Sequence, residues 1–216
     1  DFAQEKRIIA HQANAIGKLS ETEKRSVIDY TAEGYVKVNA ALREGGEING
    51  HQAHLIRNLD AAMASPAADL PEPVMTWRGI GTKTPEANAE FRAKMDAAMD
   101  SGEAIACPAF SSTSIDPRLA VRDFAGKNGV VLEIMASKGL FVDQISESAG
   151  ERELLLPRDG KFRVHAIRTV DIAGRPTKVY QLEQLHGEEP ISGGTGGDRV
   201  SGRPEAKAET DGGALW

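Results

Sequence analysis

Glu151-Arg152-Glu153-Leu154-Leu155-Leu156-Pro157-Arg158 sets two carboxylates one residue apart beside three leucines closed by a proline. Side chains alternate across a strand, so Glu151 and Glu153 share a side if extended geometry reaches back to 151, while Leu154 and Leu156 face the other way. Two carboxylates beside an apolar strand are unfavourable without cations or hydrogen bonds to compensate. Arg78 and the hydroxyls of Ser112, Thr113 and Ser114 are the groups expected to converge there.

Further strand signals flank this run at Val74 to Gly79, Ile105 to Thr113, Val130 to Met135, Leu140 to Val142, Phe162 to Val170 and Lys178 to Leu185. Residues 1 to about 65 read as helical, with Ser20 and Glu23 in capping-box spacing ahead of Val27, Ile28, Tyr35, Val36 and Val38. Leu70-Pro71-Glu72-Pro73 reads as a linker. Thr84-Pro85-Glu86 opens a helix that carries Phe91, Met95 and Met99 on one side, and a short helix is expected near Pro117 to Ala125. Helices first and strands after predict an α+β fold, a helical amino-terminal layer packed on two mostly antiparallel sheets. The expected division is a helical region, 1–70, a β-core, 71–186, and a flexible Gly-rich tail, 187–216. The tail has eight glycines and few apolar residues before Leu215-Trp216, too little to offset its ordering entropy. Its Gly193-Gly194-Thr195-Gly196-Gly197 lacks the flanking strand, the helix and the Lys-Ser/Thr ending of a phosphate loop.

The chain has 216 residues, 40% apolar and 27% charged, with a net charge of -6. That balance argues against an extended nucleic-acid surface. No apolar run approaches the roughly 18 to 20 residues that span a bilayer, so no membrane partner is expected. The first residue is Asp rather than Met, as expected of a piece of something longer. Cys107 is the single cysteine, which excludes an internal disulfide and a cysteine-based zinc site. His51 and His54 share a helix face but lack an evident third ligand nearby in sequence, so a solvated face is preferred to a metal site. Trp77 alternates to the face opposite Arg78 and reads as core, and Phe162 and His165 read as sheet residues.

Three segments carry the chemistry in combination: Thr76-Trp77-Arg78-Gly79, Phe110-Ser111-Ser112-Thr113-Ser114 and Glu151-Arg152-Glu153. Each alone is weak. Their order, spacing and flanks resemble the Arg-Ser-Glu class of mono-ADP-ribosyltransferases, which includes bacterial toxins, effectors and phage enzymes. The resemblance extends from about Ser20 to Leu185, taking in Tyr30-Thr31, Gly34-Tyr35, Asn39 and Lys161-Phe162-Arg163-Val164.

The resemblance implies an enzyme that splits NAD, its substrate, releases nicotinamide and transfers ADP-ribose to an arginine of a target protein. Arg78 would hold the diphosphate and ribose, since a guanidinium fork offers paired donors, and the Gly79 backbone would bond the nicotinamide amide. Ser112 would orient Glu153, with Thr113 and Ser114 supporting the strands around the pocket. Phe124 could stack on nicotinamide, and Arg118, Arg122 and Lys127 compete for a phosphate contact. Glu153 would stabilise the cation developing on the ribose, and Glu151 would face the acceptor. Glutamate at 151, where related enzymes with other acceptors carry glutamine, implies arginine. If the parent is a toxin, the resemblance admits an immunity or antitoxin protein as a further partner. A monomer is expected, acting either after secretion or delivery into a target cell or, if phage-derived, in the host cytoplasm. The competing readings are an NAD glycohydrolase, with water as acceptor, and a catalytically silent phage or structural interaction domain.

Overall fold

The structure, a computed structural model, describes residues 2–81, 84–119, 129–146, 150–172 and 174–185. Four helices come first: α1 (Phe2–Gly17), α2 (Glu21–Asp29), α3 (Tyr35–Glu44) and α4 (Gly50–Ala64), with a π-helical turn, Tyr30–Gly34, between α2 and α3. Ser20 and Glu23 form the expected capping box at the start of α2, and Asn49 and Gln52 repeat the device at α4, satisfying amide donors that the first helical turn leaves orphaned. Val27 and Val38 are buried, whereas Tyr35 and Val36 are exposed.

The π-helical turn depends on Gly34. A Cβ there would sit 2.7 Å from the Asp29 carbonyl oxygen and 3.1 Å from Leu55 Cδ2, so a side chain would force the widened turn apart. Turns of this kind are frequent at functional sites.

The strands are β1 (Asp69–Ile80), β2 (Ile105–Cys107), β3 (Ser111–Ser114), β4 (Val130–Lys138), β5 (Leu140–Phe141), β6 (Glu153–Leu156), β7 (Gly160–Ile172) and β8 (Arg175–Leu185). Helix α5 (Pro85–Ser101) follows β1, and a single turn, α6 (Pro117–Leu119), follows β3. The strands run β2-β7-β8-β4-β1-β3-β6-β5, and every neighbouring pair is antiparallel except β4 with β8.

The fold is thus α+β as expected, but the two sheets are hydrogen-bonded into one. They meet at a single residue pair, Trp77 opposite Ser114, whereas β1 and β4 share eight. Side chains complete the seam: the Thr76 hydroxyl bonds the Ser114 carbonyl at 2.9 Å and Thr113 Oγ1 at 2.6 Å. This joint is where the chain can open a cleft without stranding buried backbone groups.

Several boundaries differ from those read in the sequence. Leu70-Pro71-Glu72-Pro73 belongs to β1, so the division at 70/71 falls inside a strand. Both prolines lie where only Asp69 and the residues from Val74 onward are matched to β4, a place where a missing amide costs no ladder bond. Pro108 interrupts the run from Ile105, splitting it into β2 and β3. Val142 lies in a 3-10 turn beyond β5. The short helix expected at Pro117 to Ala125 is described only over Pro117–Leu119. The remainder of that helix and the tail from 187 lie outside the described residues.

Two apolar cores sandwich β6. Leu154 and Leu156 pack with Ile8, Phe91, Met95 and Phe162, whereas Leu155 packs with Leu59, Val27 and Phe110 on the helical side. All three leucines are fully buried, each stabilising the fold by about 1.5–3 kcal/mol. Gln12 ties α1 to the sheet inside this packing. Its amide donates to the carbonyls of Asp69 (3.0 Å) and Gly139 (2.8 Å), and its Oε1 accepts from the Phe141 amide at 2.9 Å.

Candidate active site

The seam between β1 and β3 opens into a cavity of about 300 Å³ lined by Arg78, Gly79, Ser112, Thr113, Ser114, Glu151 and Glu153. Arg78 and Gly79 lie near the end of β1, the three hydroxyl residues on β3, and Glu153 starts β6. Register explains why Ser112 meets Glu153. Ser114 is directly opposite Glu153 and Ser112 opposite Leu155, so Ser112 and Glu153 are diagonal neighbours on one face. The Ser112 hydroxyl lies close enough to the Glu153 carboxyl to favour its charged form, and Arg78 Nη1 donates to the Ser112 carbonyl at 2.8 Å. Ser112 thus stands between Arg78 and Glu153. The neighbouring hydroxyls point into structure: Thr113 Oγ1 bonds the Leu154 carbonyl at 2.6 Å, and Ser114 Oγ donates to the Glu151 carbonyl at 2.8 Å.

Glu151 reaches the cavity by a different route from the one strand alternation predicts. β6 begins only at Glu153, and Arg152 has φ 51°, in the left-handed region. That conformation costs a residue with a side chain roughly 1–2 kcal/mol. It is offset locally: Asp143 Oδ1 accepts from the amides of Gly150 and Arg152, each at 2.9 Å, and the Ile115 amide donates to the Arg152 carbonyl at 3.1 Å. Glu151 is exposed at the mouth, while Glu153 is 6% exposed.

The electrostatics follow this geometry. Burial, reinforced by Glu151 and Asp143, pushes the Glu153 carboxyl up to about 7, against the pull of Ser112 and Arg78. Burial lowers the Arg78 guanidinium from its ordinary value, and the like charge of Arg43 acts in the same direction. The Nε atoms of Arg43 and Arg78 are both buried without a hydrogen-bond partner among the described residues. Unsatisfied buried donors of this kind are uncommon, and here two cationic ones border one cavity.

Arg43 is a lining residue that no sequence motif singled out. Tyr35, Asn39 and Arg43 line the cavity at intervals of four along α3, which puts them on one helix stripe. That spacing was the available signal. Asn39 is further fixed by donating to the Tyr30 hydroxyl (2.9 Å) and the Phe110 carbonyl (3.2 Å). The π-helical turn adds Thr31 and Ala32 to the lining. Trp77, expected as core, packs on Val131 and Val179, and its indole donates to Glu133 at 3.3 Å, although the residue also borders the cavity. Phe124, Arg122 and Lys127 lie outside the described residues. Arg118 is largely exposed and bonded to Asp116 rather than facing the cavity.

Comparison with known proteins accords with this arrangement. The family model described as ADP-ribosyltransferase exoenzyme matches residues 9–185. Exoenzyme T of Pseudomonas aeruginosa is 31% identical over 200 residues, which cover 88% of this chain and 40% of that protein, so the chain spans about two fifths of that relative. Among solved structures, Plx2a, an ADP-ribosyltransferase toxin from Paenibacillus larvae, superposes with a TM-score of 0.69 at 21% identity, covering 85% of this chain and 96% of that one. Exoenzyme S from the same Pseudomonas species, solved with human 14-3-3 protein beta and bound to carba-NAD, gives a TM-score of 0.64 at 21% identity over 90% of this chain and 88% of that one. The helical layer, the seamed sheet and the matched span identify this chain as a member of the ADP-ribosyltransferase exoenzyme family.

Proposed function

We propose that this chain transfers ADP-ribose from NAD to an arginine side chain of a target protein, with release of nicotinamide. The observation that carries the reading is the pair of carboxylates at two depths of one cavity: Glu153 buried beside Ser112, Glu151 exposed at the mouth. The unpartnered Nε donors of Arg43 and Arg78 fit the diphosphate of NAD, because guanidinium groups match phosphate oxygens and are costly to bury unpaired. The Gly79 backbone is offered to the nicotinamide amide.

Nicotinamide leaves a positively charged N-glycoside as a neutral molecule, so its departure needs little acid assistance. Positive charge then develops on the ribose, as in glycoside cleavage. Glu153 accepts a hydrogen bond from the ribose 2'-hydroxyl and sets negative charge beside that cation. Burial raises the cost of that charge in the free protein, and the cationic nicotinamide ring of the substrate draws the carboxyl toward its ionised form. Glu151 orients the incoming guanidinium. An arginine is too weak an acid to lose its proton beforehand, so Glu151 takes the proton as the new N–C bond forms.

The test supplies NAD labelled in its ADP-ribose portion together with agmatine, a small guanidine acceptor, and follows labelled agmatine and free nicotinamide. Wild type is expected to yield both. Glu151→Gln should reduce transfer by at least about 10² while reducing nicotinamide release far less. Nicotinamide without labelled agmatine or labelled protein would assign water as the acceptor, and no NAD consumption would leave a binding module.

A further inference from the structure

Arg152 lies between the two cavity carboxylates, yet it does not line the cavity. Its side chain turns to the back of the turn, where Nη2 pairs with Glu5 of α1 at 2.6 Å and Nη1 with Asp116 at 3.4 Å. The three side chains are 21%, 15% and 8% exposed, so solvent and salt screen the pairs less than an open surface bridge. Asp116 is itself held by Arg118 and by its own amide, which donates to Ser114 Oγ at 3.0 Å. Ser114 Oγ in turn bonds the Glu151 carbonyl. The back of the turn is thus wired to helix α1 and to the end of β3.

We propose that the Glu5–Arg152 ion pair positions Glu151, so that α1 controls transfer to the acceptor without taking part in NAD cleavage. The proposal rests on Glu151 being the acceptor-facing carboxylate. Three observations support it. Arg152 holds a left-handed backbone conformation that a side chain disfavours, and its charged tip ties that conformation to a distant element. The anchor is firm, because Ile8 of α1 is fully buried in the sheet core and Gln12 makes three hydrogen bonds to the backbone of the sheet side. Glu5 stands in the first turn of α1, where the helix end favours a carboxylate. Glu153 is spared because it is matched to Ser114 in the ladder, and the next residues, Leu154 and Leu155, are paired on both sides, with β3 and β5.

The experiment compares wild type with Glu5→Gln, with Arg152→Lys, which keeps a charge but lacks the fork, and with Glu72→Gln. The last breaks the exposed Arg7–Glu72 pair of the same helix and controls for general loosening of α1. Each protein is assayed for nicotinamide release without acceptor, for transfer to agmatine, for thermal midpoint and for amide exchange of residues 150–153. Glu5→Gln should lower transfer about tenfold, mainly in kcat, leave nicotinamide release within about twofold, and speed exchange at Gly150 and Arg152. Arg152→Lys should lower transfer in the same sense, and Glu72→Gln should match wild type. An unchanged ratio of transfer to release in Glu5→Gln, or a proportional loss of both, overturns the proposal. If wild type fails to label agmatine, the arginine reading fails separately, and exchange alone decides the ion pair: protection unchanged in Glu5→Gln overturns it.

Discussion

Two glutamates one residue apart occupy physically different places. Glu153 opens the ladder opposite Ser114, is almost fully buried, and has its carboxyl pushed up to about 7. Glu151 stands before the ladder begins, is exposed, and is held through a left-handed turn whose bonds come from Asp143, Ser114 and Ile115. A strand supplies a fixed carboxylate in a place of low polarity, where electrostatic stabilisation is strongest. A turn supplies a carboxylate that faces outward and can meet a macromolecular acceptor. The contrast predicts that the two positions fail differently.

The largest effect is expected at the ladder end. Glu153→Gln keeps the shape but removes the charge, and should slow both nicotinamide release and transfer by about 10² to 10³. Equal loss of transfer alone would erase the distinction between the two sites. Next comes the cationic wall. Arg78→Lys removes the fork while keeping the charge, and should raise the KM for NAD about 10- to 100-fold, measurable by initial rates of nicotinamide release; an unchanged KM would move the diphosphate elsewhere in the cleft.

A third expectation comes from the elevated carboxyl. Ionised Glu153 is the active form, so kcat/KM for NAD should rise about tenfold per pH unit below the inflection and level off above about 7, the free-protein value. Stability runs the other way. A carboxyl whose folded value exceeds its unfolded one, about 4.3, contributes stability that is complete below that unfolded value. The contribution is lost as pH rises through about 7. Glu153→Gln should flatten both trends, as rate profiles and thermal midpoints against pH would record. The smallest effect on chemistry is expected from Gln12→Ala. It leaves two carbonyls and an amide without their partner, costing about 1–3 kcal/mol for an unsatisfied buried group. Denaturant unfolding should detect that loss while nicotinamide release per folded molecule stays near wild type.

Local chemistry made much of this legible in the sequence. The capping box at Ser20 and Glu23, the α5 face of Phe91 and Met95, and the inward leucines of β6 all follow from short-range spacing. The Leu70–Pro73 segment was misread because proline signals a break, and its place alongside the sheet depends on a partner strand distant in the chain. Arg43 was not legible because it belongs to no motif and stands among acidic neighbours in sequence, whereas α3 turns its Tyr35–Asn39–Arg43 stripe toward the cavity. The shared side of Glu151 and Glu153 was anticipated for a reason that does not hold: strand alternation stops at 153, and a left-handed residue restores the direction.

From the sequence alone came the order of helices and strands, the α+β class and the residue types gathered around Arg78, Ser112, Glu151 and Glu153, because periodicity and side-chain chemistry are local properties. The tertiary structure decided the rest. It joined the expected two sheets through one pair at Trp77 and Ser114, opened the cavity at that joint, and brought Arg43 to its wall. It also tied Glu5 to Arg152 across the length of the chain. These are contacts between residues far apart in sequence, set by how packed layers meet rather than by any neighbouring residue.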